Sequence, residues 1–276
     1  MDRETGYAAA GDARLYYEVA GVGDPLVLIH AAIADRRQWD HEFETFSQSH
    51  RVLRYDQRGH GLSLPVEGIY DDMQDLLALL DHLGWRGPLN LIGCSMGGGL
   101  AMDFALAYPD RVNALVMVSS APSGLYLDVP LNPLEEEAEK AHTAGDLDLV
   151  AELQMQMFFD GMGREEADVD PAAQALAYEM SRLALEHESK GLGQWVPEGK
   201  INAPERLGEI RVPVLAVVGE FDEPYIHAAA DYMAARIADF RRVTFPDAAH
   251  LVNMDQPKRF EEVVGGFMDE PSFPKS

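Results

Sequence analysis

The chain is 276 residues long and carries 22 Lys and Arg against 47 Asp and Glu, a formal net charge of −25. A surface this acidic repels nucleic acid and anionic membranes, so neither is an expected partner. One cysteine rules out an internal disulfide framework, no apolar run approaches the roughly 20 residues of a membrane span, and no charged-then-apolar leader opens the chain, so a cytoplasmic location is expected.

Apolar residues make up 47% of the sequence, enough for one α/β core carrying an insertion. Strand-like runs at 7–10 and 13–20, joined by Gly11-Asp12, predict an antiparallel hairpin at a sheet edge. After the break at Gly21-Val22-Gly23-Asp24-Pro25, the apolar run 26–30 reads as a strand buried on both faces, and a loop leads from His30 to Trp39. Helix-like sequence covers 39–48, and a second buried strand covers 51–56. Ile69, Met73, Leu76, Leu77, Leu80 and Leu83 fall at offsets 0, 4, 7, 8, 11 and 14, the stripe of an amphipathic helix that Gly84 terminates. Residues 89–93 form a strand that breaks into glycines and resumes as a helix to Tyr108, stopped by Pro109; 112–118 is another strand. Such alternation predicts a mostly parallel sheet with right-handed crossovers and helices on both faces.

From 123 to 207 the pattern changes to helix formers, with helices expected at 134–144, 147–159 and 172–188. Strand material returns at 214–219, followed by a helix at 225–240, a strand at 242–245 and a closing helix at 257–268. Residues 123–207 therefore read as a helical cap inserted into one core made of 1–122 and 208–276. Met155, Met157, Phe158, Phe159, Met162 and Trp195 suggest an apolar pocket roof, with Phe158 and Trp195 as candidate substrate contacts, although plain helix packing produces the same stripe.

Gly93 and Gly97 stand two residues either side of Ser95, the G-x-S-x-G spacing of a strand-turn-helix that pushes the central hydroxyl out at the positive end of a helix. Cys94 is a poor rival, because its own flanks at that spacing are Ile92 and Met96. Ligands of an open parallel sheet bind beyond the carboxyl ends of the strands. The polar residues there are His30, Asp56, Ser95, Ser119, Ser120, Glu220, Asp222 and His250. Acyl transfer by a serine needs an imidazole to take its proton and a carboxylate to orient the imidazole, and Ser95, Asp222 and His250 follow in the chain order of the elbow fold. Glu220 remains a rival acid, and His30 and His60 rival bases.

Four motifs together resemble the α/β-hydrolase superfamily: the loop opened by His30 with Trp39 nine residues on, Asp56-x-Arg58-Gly59-His60-Gly61-x-Ser63, the Ser95 elbow, and Gly219-x-x-Asp222 paired with His250. The resemblance covers about 13–122 and 210–267. It implies an eight-stranded α/β fold, with His30 beneath the oxyanion loop and His60 in a structural turn. The remaining histidines, 41, 50, 82, 142, 187 and 227, read as solvated surface. Backbone N–H groups of Ala32 and Met96 are the candidate oxyanion hole; here the family's common His-Gly is replaced by His30-Ala31, whose methyl narrows the loop. The implied function is a serine hydrolase acting on a small carboxylic ester. A lactonase, carbon–carbon bond hydrolase or cofactor-free perhydrolase on the same residues, or a slow-turnover binding protein, are alternatives. No metal or cofactor is implied, the partner is a small-molecule ester or lactone, and a homodimer is left open.

Overall fold

In the computed structural model, which describes residues 3–164, 169–196 and 201–270, the apolar runs pair into one eight-stranded sheet. Its strands are β1 (Arg3–Ala10), β2 (Ala13–Ala20), β3 (Asp24–Ile29), β4 (His50–Tyr55), β5 (Leu89–Cys94), β6 (Val112–Val118), β7 (Val214–Gly219) and β8 (Phe240–Phe245). They lie in the order β1-β2-β4-β3-β5-β6-β7-β8. Only β2 runs against its neighbours β1 and β4; the other pairs are parallel. Gly11, at φ +61°, supplies the left-handed turn that the β1–β2 hairpin needs.

Alternation along β3 explains why its sequence is apolar throughout. Leu26 and Leu28 join one buried cluster with Phe43, Phe46 and Phe260, whereas Val27 and Ile29 join another with Leu76, Leu80 and Phe104. The first cluster is covered by α1 (Asp40–Phe46) and the second by α2 (Asp72–His82) and α3 (Met96–Ala107). Each fully buried aliphatic side chain contributes roughly 1.5–3 kcal/mol, so both layers weigh heavily in stability.

Between β6 and β7 stand three longer helices, α4 (Glu135–Ala144), α5 (Leu147–Met155) and α6 (Pro171–Glu188), followed by the short α7 (Ala203–Arg206). Asp146 caps α5 by accepting from Leu149 N–H, and Asp170 caps α6 by accepting from Ala172 N–H. After β7 come α8 (Pro224–Ala234), α9 (Val252–Asp255) and α10 (Pro257–Met268).

Three helix boundaries differ most from the sequence reading. The apolar stripe begins at Met73: Ile69 is 76% exposed and belongs to a two-residue ladder, Ile69–Tyr70 against Gln194–Trp195, because Asp71 caps the helix after it. The helix expected to 159 ends at Met155 and passes into a π-helical turn, Gln156–Asp160, closed by Gly161 at φ +81°. The helix expected to 240 ends at Ala234, because Phe240 pairs with Val214 and must already be extended.

Glu42 ties α1 to the segment after His250. It is fully buried, its Oε2 accepts from Asn253 Nδ2 at 3.0 Å, and its Oε1 has no partner among the described residues. Burial pushes its carboxyl up to about 8. An acid whose folded value is raised costs nothing below its unfolded value near 4.3, costs more as pH rises, and levels off above its folded value. Glu42→Gln is therefore expected to leave stability at pH 4 unchanged and to raise it by about 4–5 kcal/mol at pH 8, read by urea unfolding across that range. A gain independent of pH would contradict this origin.

Candidate active site

Ser95 follows β5 at φ +51° and ψ −117°, a conformation that costs an L-residue about 1–3 kcal/mol. The surroundings leave it no alternative. A side chain at Gly93 would run into the Gly97 carbonyl, and one at Gly97 into the carbonyls of Ile29 and His30. Ser95 N–H donates to Val118 O at 2.9 Å, and its carbonyl accepts from Gly98 N–H, Gly99 N–H and Ser120 Oγ at 3.0, 3.1 and 2.7 Å. The half-buried hydroxyl thus sits at the N-terminus of α3. Cys94, by contrast, is fully buried, and burial pushes its thiol up to about 12.

Beyond β7, Asp222 is 5% exposed and its Oδ1 accepts from His250 Nδ1 at 2.8 Å and from Glu223 N–H at 2.8 Å. With Nδ1 donating, neutral His250 carries its lone pair on Nε2. Burial opposes a charged imidazole, but the Asp222 carboxylate and its hydrogen bond, helped by Glu223, outweigh it and hold His250 above its ordinary value. Glu220 is exposed and accepts from Asp247 N–H instead, away from the imidazole. The backbone of His250 lies beside the elbow, with Cys94 Sγ 3.9 Å from its carbonyl. Among the described residues no hydrogen bond joins Ser95 Oγ to His250 Nε2, a contact that in free enzymes is often open and tightens around substrate.

The π-helical turn holds this loop from the other side. His250 N–H donates to Phe158 O at 3.1 Å, and the Phe158 ring packs against the imidazole at 5.2 Å between centroids. Arg164 pairs with Asp255 at 2.6 and 2.9 Å, and Asp255 also accepts from Ala249 N–H.

Across the elbow, the loop after β3 is fixed by two imidazoles. Burial drives His30 down to about 3, so it is neutral; its Nδ1 donates to Ala31 O at 2.8 Å and its Nε2 accepts from Gln57 N–H at 2.9 Å. In a trans peptide the N–H opposes the C=O, so gripping the Ala31 carbonyl turns the Ala32 N–H the other way. His60 Nε2 meets Ala32 O at 3.0 Å. Neither Ala32 N–H nor Met96 N–H finds an acceptor among the described residues, and both residues line one cavity of about 460 Å³. Ala31, where the family has glycine, is 1% exposed and does not adopt a positive φ, so its methyl fits the core.

Sequence reasoning missed the side chains that couple these two loops. Gln38 Oε1 accepts from Ala31 N–H at 2.9 Å, its Nε2 donates to Asn253 Oδ1 at 3.1 Å, and Asn253 Nδ2 donates back to Gln38 O at 2.8 Å. No motif marks that pair. His187, read as surface, is 4% exposed and holds Gly59 O at 3.0 Å from the cavity wall; His50 is likewise buried. Of the expected pocket roof, Trp195 lines the cavity. Met155 and Phe159 are core, and Met162 is 43% exposed. A smaller cavity of about 150 Å³ adjoins Ser95 on the opposite side, walled by Ser119, Ser120 and Ser123. Ser119 stands there at φ +46°, fully buried and with no partner for its hydroxyl among the described residues.

The family described as alpha/beta hydrolase fold matches residues 24–257 of this chain. The chain belongs to the α/β-hydrolase family. It is 28% identical over 271 residues, 91% of its length and 94% of the other's, to a putative 2-succinyl-6-hydroxy-2,4-cyclohexadiene-1-carboxylate synthase of Bacillus subtilis. It is 25% identical over 254 residues, 88% of each chain, to 3-oxoadipate enol-lactonase 1 of Acinetobacter baylyi. Among solved structures it is similar to a thermophilic esterase from Thermogutta terrifontis, with TM-score 0.71 at 26% identity, covering 97% of this chain and 98% of that one.

This α/β hydrolase thus presents a strained serine, a carboxylate-bound imidazole and two backbone N–H groups without acceptors among the described residues, with Met96 common to the walls of both cavities. No helix among its described residues is long and apolar enough to cross a membrane. Because Asp222 is the main group that raises His250, NMR titration of the imidazole is expected to give a pKa above 6.5 in the unmodified protein and a lower one in Asp222→Asn, where only the weaker field of Glu223 still opposes burial. Equal values in the two proteins would show that the hydrogen bond does not govern the base.

Proposed function

We propose that this α/β hydrolase cleaves a small carboxylic ester, open-chain or cyclic, through Ser95, His250 and Asp222. The observation that carries the reading is the elbow itself: a serine held at φ +51° is strained for no evident structural benefit, and strain of that kind collects where a side chain must be presented to a ligand. The esterase and enol-lactonase among the similar proteins support hydrolysis of an ester bond.

Ser95 Oγ attacks the acyl carbon while His250 Nε2 takes its proton, and the carbonyl π pair moves onto oxygen. The N–H groups of Ala32 and Met96 stabilise that oxyanion, an interaction worth about 2.7–4 kcal/mol per donor in related sites. Collapse expels the alkoxide, which the imidazolium protonates, leaving an acyl-serine. Water then repeats the sequence, with His250 as its base, and releases the acid and the free serine. The imidazolium that forms twice is stabilised by Asp222. Residues 123–207 act as the cap that shapes the acyl and alcohol sites, with Trp195 in contact with substrate and Phe158 against the base.

Ser95→Ala is expected to lower kcat on short p-nitrophenyl esters by about 10⁴-fold or more with little change in binding of substrate, because the hydroxyl acts in the transition state. Retention of wild-type turnover in that variant would refute the assignment.

A further inference from the structure

The cavity that carries Ala32 and Met96 on its wall also carries Tyr70, Asp72 and Trp195. Tyr70 and Trp195 are register partners in the two-residue ladder, which sets their side chains next to each other, and the Trp195 side chain donates a hydrogen bond to Asp72. Two aromatic rings and a carboxyl group therefore share one wall, one face of the Tyr70 ring being taken by the Arg58 guanidinium 5.0 Å from its centroid.

The charges of the lining are one-sided. Among the described residues around this cavity, Arg58 is the one permanent cation, and it is neutralised within the fold. Its Nε and Nη2 donate to Asp75 at 2.9 and 2.8 Å, its Nη1 to Asp12 at 3.1 Å, and its Nη2 also to Ala10 O at 3.0 Å. His60 is kept neutral by burial, and His187 is engaged with Gly59 O. Asp72 and, at the exposed rim, Glu188 supply negative charge; among the described residues their cationic neighbours are Arg58, whose field reaches Asp72 but whose donors are spent on Asp75 and Asp12, and the imidazole of His142, 3.9 Å from Glu188. Burial, with Asp75 close by, raises the Asp72 carboxyl to about 7, the mark of a carboxylate short of a counter-charge. The net charge of −25 adds a field that draws cations toward any opening.

We propose that this cavity selects its substrate by charge, taking an ester whose arm remote from the scissile bond ends in an ammonium group seated on Trp195 and Tyr70 with Asp72 as counter-ion. The proposal rests on the ester-hydrolase reading for its chemistry and adds the class of ester. A ring face and a partly desolvated carboxylate each favour a tetraalkylammonium over its uncharged isostere, whereas a carboxylate-bearing arm meets two like charges and, among the described residues, no free donor cation.

Choline and 3,3-dimethyl-1-butanol have the same shape and differ by the charge on one atom. Their affinities are measured by calorimetry on the intact protein and on Ser95→Ala, and as inhibition of p-nitrophenyl acetate hydrolysis. Choline is expected to bind about tenfold more tightly at low ionic strength and to compete with the ester, the preference shrinking with added salt. In Asp72→Asn the ratio is expected to fall several-fold, leaving the smaller preference of the ring face. Equal or tighter binding of the neutral alcohol, a salt-independent ratio, or a ratio unchanged in Asp72→Asn would overturn the proposal. Loss of ester turnover alone would fault the hydrolase reading instead, since calorimetry reads the charge preference without turnover.

Discussion

Backbone packing at the elbow is the constraint from which the rest of the site follows. The β5 strand and α3 approach so closely that Gly93 and Gly97 touch backbone where any other residue would place a Cβ, and Ser95 between them is driven to φ +51°. Three donors on its carbonyl and one acceptor for its N–H hold that geometry. The cost is local, of order 1–3 kcal/mol, and is met by the two apolar layers that bury β3 and β5 on both faces. What results is a hydroxyl whose position is fixed by main chain rather than by its own rotamer preferences.

The groups around it are held by hydrogen bonds that reach across the chain. His30 orients one peptide of the loop after β3, and Gln38 grips the next N–H upstream while joining Asn253, three residues beyond His250. A shift of either loop would therefore be felt by the other through Gln38 and Asn253. The π-helical turn before Gly161 adds a third restraint, since Phe158 binds His250 through both its carbonyl and its ring. Turns of this type often occur at functional sites because the extra residue redirects a side chain without breaking the helix.

Much of this was legible in the sequence, for a physical reason. Glycines flanking Ser95, the apolar run of β3 and the exact closing helix at Pro257–Met268 are local patterns, and local patterns survive in one dimension. Asp222 and His250 could be named because each follows a strand end. Gln38 and Asn253 lie 215 positions apart and have no signature, so their contact exists only after folding. His187 was misplaced for a related reason: its helix looks amphipathic, and only the docking of α6 over Gly59 buries it. The Met and Phe stripe of 155–162 looked like a pocket roof, yet Met155, the last residue of α5, and Phe159 in the π-helical turn are both core, while Phe158 beside them faces the base. Ile69 satisfied the helical period but was overruled by the Asp71 cap two residues later.

The central assignment is that Ser95 is a nucleophile activated by His250. A fluorophosphonate probe, followed by proteolysis and mass spectrometry, tests it without knowledge of the substrate. The expected result is one stoichiometric adduct on Ser95, formed far more slowly in His250→Ala. Labelling elsewhere with Ser95 unmodified, or labelling of Ser95 at an undiminished rate without the imidazole, would contradict it.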